Sequence, residues 1–335
     1  MHAPHLRLAS IGIVVTSGAM VVARGGAEER PLTHEWREVR ANHWQIVTPA
    51  GEAPEVTDAA EGNRGDCPAG MIEVQGKMRI TWMGDELQKS ICSKWINRNF
   101  PERCASFDKA KWEAIRDKLA TREMHFCIDR FEYPNRKGEY PVIYVNWFDS
   151  NKLCEEEGKR LCTEDEWTFA CEGEDALPYP YGYDRDADAC LVDKPWRWFD
   201  PAAYGGKKDA IIRELDRLWQ GVPSGALPKC VSPFGVHDMT GNVDEYTKSA
   251  SRTGSPAALK GGYWGPVRTR CRPTTRAHGP LHALYQQGFR CCRNGPSTSD
   301  AGVDGSSDGG VDSGWDGGDD SGSEGAVVRD AGLAR

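Results

Sequence analysis

The chain has 335 residues and a formal net charge of −8 at neutral pH. Residues 297–335 contain nine acidic residues and two arginines, so this segment alone carries a net charge of −7. The rest of the chain is close to neutral and offers no basic surface, so the composition argues against a nucleic-acid partner.

The first residues are typical of an export signal. A weakly basic start is followed by an apolar run over residues 8–23 and by small residues suited to cleavage, so we predict a signal peptide over residues 1–27. Polar residues and glycines dilute the run, which falls short of the roughly 20 apolar residues that a spanning helix needs. An uncleaved anchor is the alternative, and no other segment of the sequence is predicted to cross a membrane.

The sequence contains twelve cysteines. An even number in an exported chain indicates disulfides, whereas the same number in a cytosolic protein would indicate metal or redox chemistry. Paired Cys-x-x-Cys motifs are missing, which disfavours a structural zinc site. We therefore expect an oxidising compartment: the periplasm, the cell surface or the extracellular space.

Composition divides the remaining chain into three parts. Residues 28–65 are polar and end in a Pro/Glu/Gly-rich stretch, and they are predicted to be a disordered linker. Residues 66–296 are predicted to form one folded domain. Residues 297–335 are rich in Asp, Gly and Ser and have too little apolar surface to offset the entropy of ordering, so a disordered acidic tail is predicted.

Within the domain, residues 67–78 are predicted to form a strand. A helix is expected within residues 106–124, where apolar residues recur at helical spacing. Residues 125–134 and 140–147 have the β-branched and aromatic content of strands.

Two short helices are expected next. Asp149 or Ser150 is predicted to cap the first helix, and Thr163 the second, where Glu166 three residues later completes a capping box. Residues 173–224 are rich in Pro, Gly, Tyr and Trp without a long period, and irregular structure is expected there.

Four separated stretches resemble the formylglycine-generating enzymes, also called sulfatase-modifying factors. They are "CPAGMIEVQGKM", "VNWFDSNKLCEEEGKRLCTEDEWTFACEG", "SPFGVHDMTGNVDEYT" and "KGGYWG…CRPTTR…GFRCC". They follow the order of the family and span residues 67–293. The resemblance implies an irregular α+β domain of the C-type-lectin-like kind, with little regular secondary structure and with disulfide staples.

The resemblance also implies two disulfides, because the family ties its helical block to its closing strands. Carried over to this sequence, they pair Cys154 with Cys291 and Cys171 with Cys271. A third pair, Cys92 with Cys104, is favoured only by proximity in the sequence.

The partners of the other cysteines stay open. Cys292 cannot readily pair with its neighbour Cys291, so it needs a partner elsewhere in the chain.

The family binds a calcium ion at the loop that matches "GNVDEY". The resemblance places the corresponding ligands at Asp238, Gly241, Val243 and Glu245, with side-chain oxygens from the acidic residues and backbone carbonyls from the other two. Oxygen ligands suit a hard cation. A tight turn with an exposed acidic residue is the alternative.

Active members of the family hold copper with two cysteines and oxidise a cysteine of a sulfatase to formylglycine. Cu(I) is a soft ion and prefers sulfur ligands. Here no cysteine stands between Gly262 and Cys271, and Tyr263 occupies the position of the family's active-site serine. Copper binding is therefore not expected, and we assign no catalytic residue.

Residues near the altered turn are candidates for binding. Tyr263 and Trp264 could stack on a ligand, as could Trp196 and Trp198 in the irregular middle of the domain. Arg268 and Arg276 could hold an anionic group. The alternative is that the aromatic side chains fill the core. His278 and His282 are four residues apart, but the intervening Gly-Pro breaks the helix that would aim both at one metal ion.

The sequence therefore predicts an exported, non-catalytic member of this family with a binding or envelope role. The first alternative is a copper-dependent oxidase acting on sulfatase cysteines, and the second is a lectin-like glycan-binding module. The partner would be a peptide, a protein or a glycan.

Overall fold

A computed structural model describes residues 31–48, 67–251 and 254–295. The predicted signal peptide and acidic tail lie outside the described residues, as does most of the predicted linker. No helix in the described ranges is both long enough and apolar enough to cross a membrane.

The regular elements are short. The strands are β1 (Trp36–Arg40), β2 (His43–Ile46), β3 (Met71–Ile80), β4 (Cys92–Asn97), β5 (Arg103–Phe107), β6 (Ala120–Asp129), β7 (Arg160–Leu161), β8 (Asp244–Lys248), β9 (Ala257–Lys260), β10 (Thr274–Thr275), β11 (Gln287–Phe289) and β12 (Cys291–Asn294). The helices are α1 (Gly84–Ser90), α2 (Lys109–Arg116), α3 (Trp147–Glu156), α4 (Glu164–Glu172), α5 (Pro201–Tyr204) and α6 (Lys208–Leu218).

Two four-stranded sheets form the framework. The first has the order β3-β6-β12-β7 with all pairs antiparallel. The second has the order β10-β9-β8-β11, in which β8 and β11 run parallel and the other pairs antiparallel. β1–β2 and β4–β5 form separate two-stranded ribbons. The last strand, β12, lies between β6 and β7, so the end of the domain completes the first sheet.

Helix α4 packs its apolar side chains against the first sheet. Thr163 accepts a hydrogen bond from the Glu166 amide, and the Glu166 carboxylate accepts one from the Thr163 amide. This is the predicted capping box. Trp167 and Phe169 of α4 lie in one buried cluster with Val74 of β3, so the helix start fixes which face reaches the core.

Helix α3 begins one turn earlier than its predicted caps require. Asn146 is the N-cap, and its side chain accepts from the Asp149 amide at 3.0 Å. Ser150 instead donates to the Asn146 carbonyl at 2.7 Å. The prediction of Asp149 or Ser150 as the cap was wrong because the indole of Trp147 donates to the Thr247 carbonyl and holds Trp147 in the first turn.

Part of the predicted linker is ordered. Within residues 28–65, β1 and β2 form a ribbon, and Trp44 and Ile46 of β2 are buried. The amide and carbonyl of Trp44 both bond to Ile143, at 3.1 and 2.9 Å. A disordered linker is therefore wrong for residues 36–46, because partners about 100 residues away in the sequence order this ribbon.

Two other predicted stretches also differ. Residues 140–147 do not form a strand, and Ile143 makes only an isolated bridge to Trp44; Tyr144 takes a left-handed φ of 62° that interrupts an extended run. The predicted irregular stretch 173–224 contains α6, which buries Ile211, Leu215 and Leu218 at helical spacing.

Six disulfides tie the domain together, and they use all twelve cysteines of the chain. Three are the pairs that the sequence predicted: Cys154–Cys291, Cys171–Cys271 and Cys92–Cys104. The other three are Cys67–Cys127, Cys162–Cys292 and Cys190–Cys230. The adjacent cysteines of β12 thus bind two different partners.

Candidate functional site

The rebuilt turn begins directly after β9. Gly261 and Gly262 have φ values of 83° and 69°, in the left-handed region that favours glycine. A Cβ atom on Gly261 would lie only 2.8 Å from the Met239 carbonyl oxygen. The turn therefore packs closely against the chain that leads to β8.

The loop after this turn is tightly wound. The amides of Val267, Thr269 and Arg270 each bond to the carbonyl two residues earlier, at 2.9 Å. The loop then reaches Cys271, which is bonded to Cys171 of α4. Between Gly262 and Cys271 the loop contains no cysteine, and Cys271 itself is in a disulfide.

The two aromatic residues predicted to contact a ligand are enclosed. Trp264 is 1% exposed and Tyr263 is 6% exposed, and both belong to one aromatic cluster with Trp219 and Tyr285. The ligand-binding prediction is therefore wrong for Trp264, which packs 4.8 Å from Trp219 between ring centroids. Tyr263 is almost as enclosed, which contradicts the ligand-binding prediction for it as well, and its ring centroid lies 6.4 Å from that of Trp196.

The two predicted arginines lie in different surroundings. Arg276 donates two hydrogen bonds to the Glu164 carboxylate, at 2.5 and 2.6 Å. Arg268 stacks over the ring of Phe100 at 5.2 Å and donates to the Thr275 hydroxyl at 3.3 Å. Arg276 is thus neutralised by α4, whereas Arg268 lies beside the β4–β5 ribbon.

A buried lysine lies at the end of β9. Lys260 donates to the Arg272 carbonyl at 2.9 Å and to the Thr274 hydroxyl at 3.2 Å, and its ammonium lies 5.4 Å from the Trp167 ring centre. Burial lowers the pKa of Lys260 to about 8, and Glu164 opposes this shift. With 1% of its surface exposed, Lys260 supports the core and has no access to a substrate.

His278 and His282 lie with their rings stacked, 4.1 Å apart between centroids. Burial lowers the pKa of both, and that of His282 falls to about 4. His282 contacts Gln287 through Nδ1. Over residues 31–48, 67–251 and 254–295, no group of three or more His, Cys, Asp and Glu side chains is placed to hold a metal ion.

The two acidic residues of the predicted calcium loop bond to other groups of the protein. Arg290 donates to both carboxylate oxygens of Glu245 at 2.7 Å, and the Trp167 indole donates to one of them at 2.8 Å. Asp238 accepts from the Gly225 amide at 2.7 Å. The Glu245 carboxylate thus bonds to a buried guanidinium in this structure, and its assignment as a calcium ligand stays a prediction.

A second buried carboxylate lies behind this loop. The Glu132 carboxylate accepts from the Ser224 hydroxyl and from the side-chain amide of Asn242, each at 2.8 Å. Burial raises the pKa of Glu132 well above its usual range, and the nearby Asp238 and Glu245 add to the shift. Burial likewise raises the pKa of Asp238 to about 7. Calcium binding through Asp238 and the carbonyls of Gly241 and Val243 stays a prediction.

The sequence offered Trp196 and Trp198 as candidates for an aromatic binding face, with a place in the core as the alternative. Trp196 is 47% exposed and Trp198 is 75% exposed. Their rings lie 6.1 Å apart and almost perpendicular, at 88°. The only signal in the sequence was the high aromatic content of residues 173–224, which does not distinguish buried rings from exposed ones.

Comparison with known domains decides the family. The domain described as "Sulfatase-modifying factor enzyme 1-like domain" matches residues 97–295, which is more than half of the chain. The chain belongs to the sulfatase-modifying factor family. Its irregular α+β fold and its disulfides agree with that assignment.

Relatives within the sulfatase-modifying factor family include both inactive and active proteins. The chain is 32% identical over 164 residues to the inactive C-alpha-formylglycine-generating enzyme 2 of Bos taurus, covering 46% of this chain and 50% of that protein. It is 25% identical over 174 residues to the formylglycine-generating enzyme of Mus musculus, covering 49% of this chain and 42% of that protein. The chain thus spans about half the length of the curated relatives that it matches.

Solved structures similar to this family member include CarF. That chain superposes with a TM-score of 0.42 at 15% identity, covering 68% of this chain and 98% of CarF. PvdO from Pseudomonas aeruginosa gives a TM-score of 0.40 at 17% identity, covering 68% of this chain and 95% of PvdO.

Proposed function

We propose that this member of the sulfatase-modifying factor family is a non-catalytic binding protein. One observation supports the proposal above the others: all twelve cysteines are in disulfides. The copper site of the family uses two cysteine thiolates, and a disulfide sulfur is a poor ligand for Cu(I). The altered loop also lacks cysteine between Gly262 and Cys271, so the family's oxidation of a cysteine has no metal-binding thiols at its usual place.

The named relatives support the same proposal. Identity is 32% to two proteins named as inactive, from Bos taurus and Mus musculus. It is 25% and 26% to the proteins of the same two organisms that are named as formylglycine-generating enzymes. The chain thus shares more of its sequence with the relatives that carry the inactive name.

The proposed location is outside the cytosol. Six disulfides form and persist in an oxidising compartment, whereas cytosolic thiols are kept reduced. Together with the signal-peptide pattern of residues 1–27, they support export to the periplasm, the cell surface or the extracellular space. The binding role would then be exercised at the cell envelope or beyond it.

A peptide-oxidation assay tests the proposal. The full chain, purified without reductant, is incubated with Cu(I), oxygen and a peptide that carries a sulfatase cysteine motif, and an active formylglycine-generating enzyme serves as the positive control. We expect the peptide cysteine to stay a thiol, as measured by mass spectrometry, and titration of the unfolded protein to find no free thiol. Conversion of the thiol to an aldehyde would establish the oxidase function instead.

A further inference from the structure

Residues 194–198, here called the tryptophan segment, have no regular secondary structure but are held firmly. The Lys194 amide donates to the Trp264 carbonyl at 2.8 Å. The carbonyl of Pro195 accepts from the Gln220 side chain at 3.0 Å. The carbonyl of Trp198 accepts from the Arg217 guanidinium at 2.5 Å. The backbone is thus anchored at both ends.

The side chain of Arg197 anchors the middle of the tryptophan segment. Its guanidinium donates to the carbonyls of Arg217 and Trp219, at 2.7 and 3.2 Å, at the end of α6. The indoles on either side of Arg197 are exposed, Trp196 at 47% and Trp198 at 75%. An ordered backbone therefore displays two large apolar rings to solvent, which is a feature of binding surfaces rather than of cores.

The two charged residues of the tryptophan segment, Lys194 and Arg197, are both basic and exposed. The exposed Asp200 beyond the segment accepts from the Ala202 amide at the start of α5. The nearby Asp193 is neutralised by ion pairs to Arg103 at 2.9 Å and to Arg185 at 2.7 Å. A ligand that pairs with this surface therefore carries negative charge.

We propose that the tryptophan segment binds an acidic glycan chain, and this inference rests on the binding role proposed above. The C–H faces of a sugar ring pack on the exposed indoles, and a carboxylate or sulfate group of the glycan pairs with Lys194. The segment borders the rebuilt turn, since Trp196 lies 6.4 Å from Tyr263. The proposed binding face is therefore formed by the exposed Trp196 and Trp198 and not by the enclosed Tyr263.

The backbone of the segment favours a glycan over an acidic peptide. Extended peptides gain affinity from main-chain hydrogen bonds to a free strand edge. Here the Lys194 amide and the carbonyls of Pro195 and Trp198 are already bonded within the protein, and proline has no amide hydrogen. These groups are not available to an extended peptide, which favours recognition through the side chains, and side chains suit stacked sugar rings and paired acid groups.

Binding of defined polymers to the full chain tests this inference. The probes are polygalacturonate, which carries carboxylates, heparin, which also carries sulfates, dextran, which is neutral, and poly-L-glutamate. Tryptophan fluorescence and calorimetry report binding at low and high salt. We expect at least one of the two acidic glycans to bind, with an affinity that falls as salt rises, and dextran and poly-L-glutamate to bind at least tenfold more weakly.

Variants locate the binding surface. Trp198→Ala should weaken binding of the acidic glycan at least tenfold, and Lys194→Gln should weaken it severalfold and reduce the salt dependence. Trp82→Ala removes a side chain that is 92% exposed in another part of the domain, so it should leave binding unchanged. All three side chains are exposed, and the folded state is checked by thermal unfolding of each variant.

Three outcomes would overturn the inference: neither acidic glycan binds, glycan binding is unaffected by Trp198→Ala, or dextran binds as well as the acidic glycans. Equal or tighter binding of poly-L-glutamate that is lost in Trp198→Ala would assign the surface to an acidic peptide instead. The peptide-oxidation assay gives a separate answer, since an aldehyde product would contradict the non-catalytic role without changing which polymer binds.

Discussion

At the scale of single residues, Arg290 and Glu245 show how the loop before β8 is held. Both side chains are almost completely enclosed. Besides its two bonds to Glu245, the guanidinium donates to the carbonyls of Asp129, Arg130 and His237. Glu245 is the carboxylate that bonds directly to this guanidinium, so removing its charge leaves a buried cation without its bonded partner.

We predict that Glu245→Gln lowers the free energy of unfolding by about 3–5 kcal/mol, because the buried Arg290 loses its counter-charge. Urea unfolding, followed by tryptophan fluorescence, measures the loss. The shift should be the same in calcium buffer and in chelator, since Arg290 rather than calcium occupies the Glu245 oxygens.

Asp165→Asn is the matched control for this substitution. Asp165 pairs with Arg122 at the surface, where both side chains are well exposed, and its loss should cost less than about 1 kcal/mol. A loss of stability in Glu245→Gln that appears only in calcium buffer would support Glu245 as a calcium ligand.

Local patterns predicted some residue roles and not others. The capping box at Thr163 and Glu166 needs only residues three apart, so the sequence contains all of its chemistry. The burial of Trp264 depends on Trp219 and Tyr285, which come from separate parts of the chain. Glu245 was assigned to calcium by resemblance, and no local pattern predicted its bond to Arg290, which lies 45 residues later.

At the scale of elements, the β1–β2 ribbon is fixed to α6 through one carboxylate. Asp216 accepts bonds from the amides of Thr33 and His34, the Thr33 hydroxyl and the Trp36 indole, at 2.8 to 3.2 Å. Burial alone would raise the pKa of Asp216, but these donors together lower it below its usual value. The ionised form is therefore the one that holds the ribbon.

We predict that Asp216→Asn lowers the free energy of unfolding by about 1–3 kcal/mol at pH 7, since bonds to a charged acceptor are lost. Because the folded pKa lies below the unfolded value of about 3.9, the contribution is present above that pH and is lost as the pH falls through the lower, folded value. Thermal unfolding of both proteins at pH 7, 5 and 3 measures this.

The difference between wild type and Asp216→Asn should shrink at the lowest pH. Asp209→Asn, on the exposed start of the same helix, is the control and should change stability little at any of these pH values. A difference that stays constant down to pH 3 would show that Asp216 acts through packing rather than charge.

The sequence predicted elements where the reason for them is local. Strand β3 was expected from its own residues, and α4 from its capping box. The β1–β2 ribbon was not, because residues 28–65 are polar overall and the bonds that order the ribbon come from Ile143 and Asp216. Helix α6 was hidden by the aromatic, glycine-rich composition around it.

At the scale of the whole molecule, disulfides connect segments that are far apart in the sequence. Cys154–Cys291 and Cys162–Cys292 close loops of 137 and 130 residues. In the chain-entropy model, a loop of this size stabilises the fold by about 5 kcal/mol before strain is subtracted. These two bonds hold β12 to the α3–β7 region, and the framework depends on them.

We predict that replacing Cys162 and Cys292 together by alanine lowers the free energy of unfolding more than replacing Cys92 and Cys104 together. The first pair closes a loop of 130 residues in the core, and the second closes a loop of 12 residues at the surface ribbon. Guanidinium unfolding of the two double variants gives the comparison. Equal losses would mean that loop length does not govern the stabilisation.

The whole fold was predictable because its motifs are spread along the chain in the family's order. Three disulfide pairs followed from resemblance and proximity. Cys162–Cys292, Cys67–Cys127 and Cys190–Cys230 did not, since the six remaining cysteines can pair in about fifteen ways and only three-dimensional proximity selects among them. The exposure of Trp196 and Trp198 was not predictable either, because an irregular segment has no sequence period from which burial could be inferred.

The position of Cys291 and Cys292 in the last strand has a consequence for biosynthesis. Cys154 and Cys162 emerge from the ribosome more than 120 residues before their partners. In an oxidant-rich compartment four earlier cysteines are available to them first, and any pair formed with these must be exchanged to reach the native connectivity. Recombinant production should therefore succeed best in a host that supplies a disulfide isomerase.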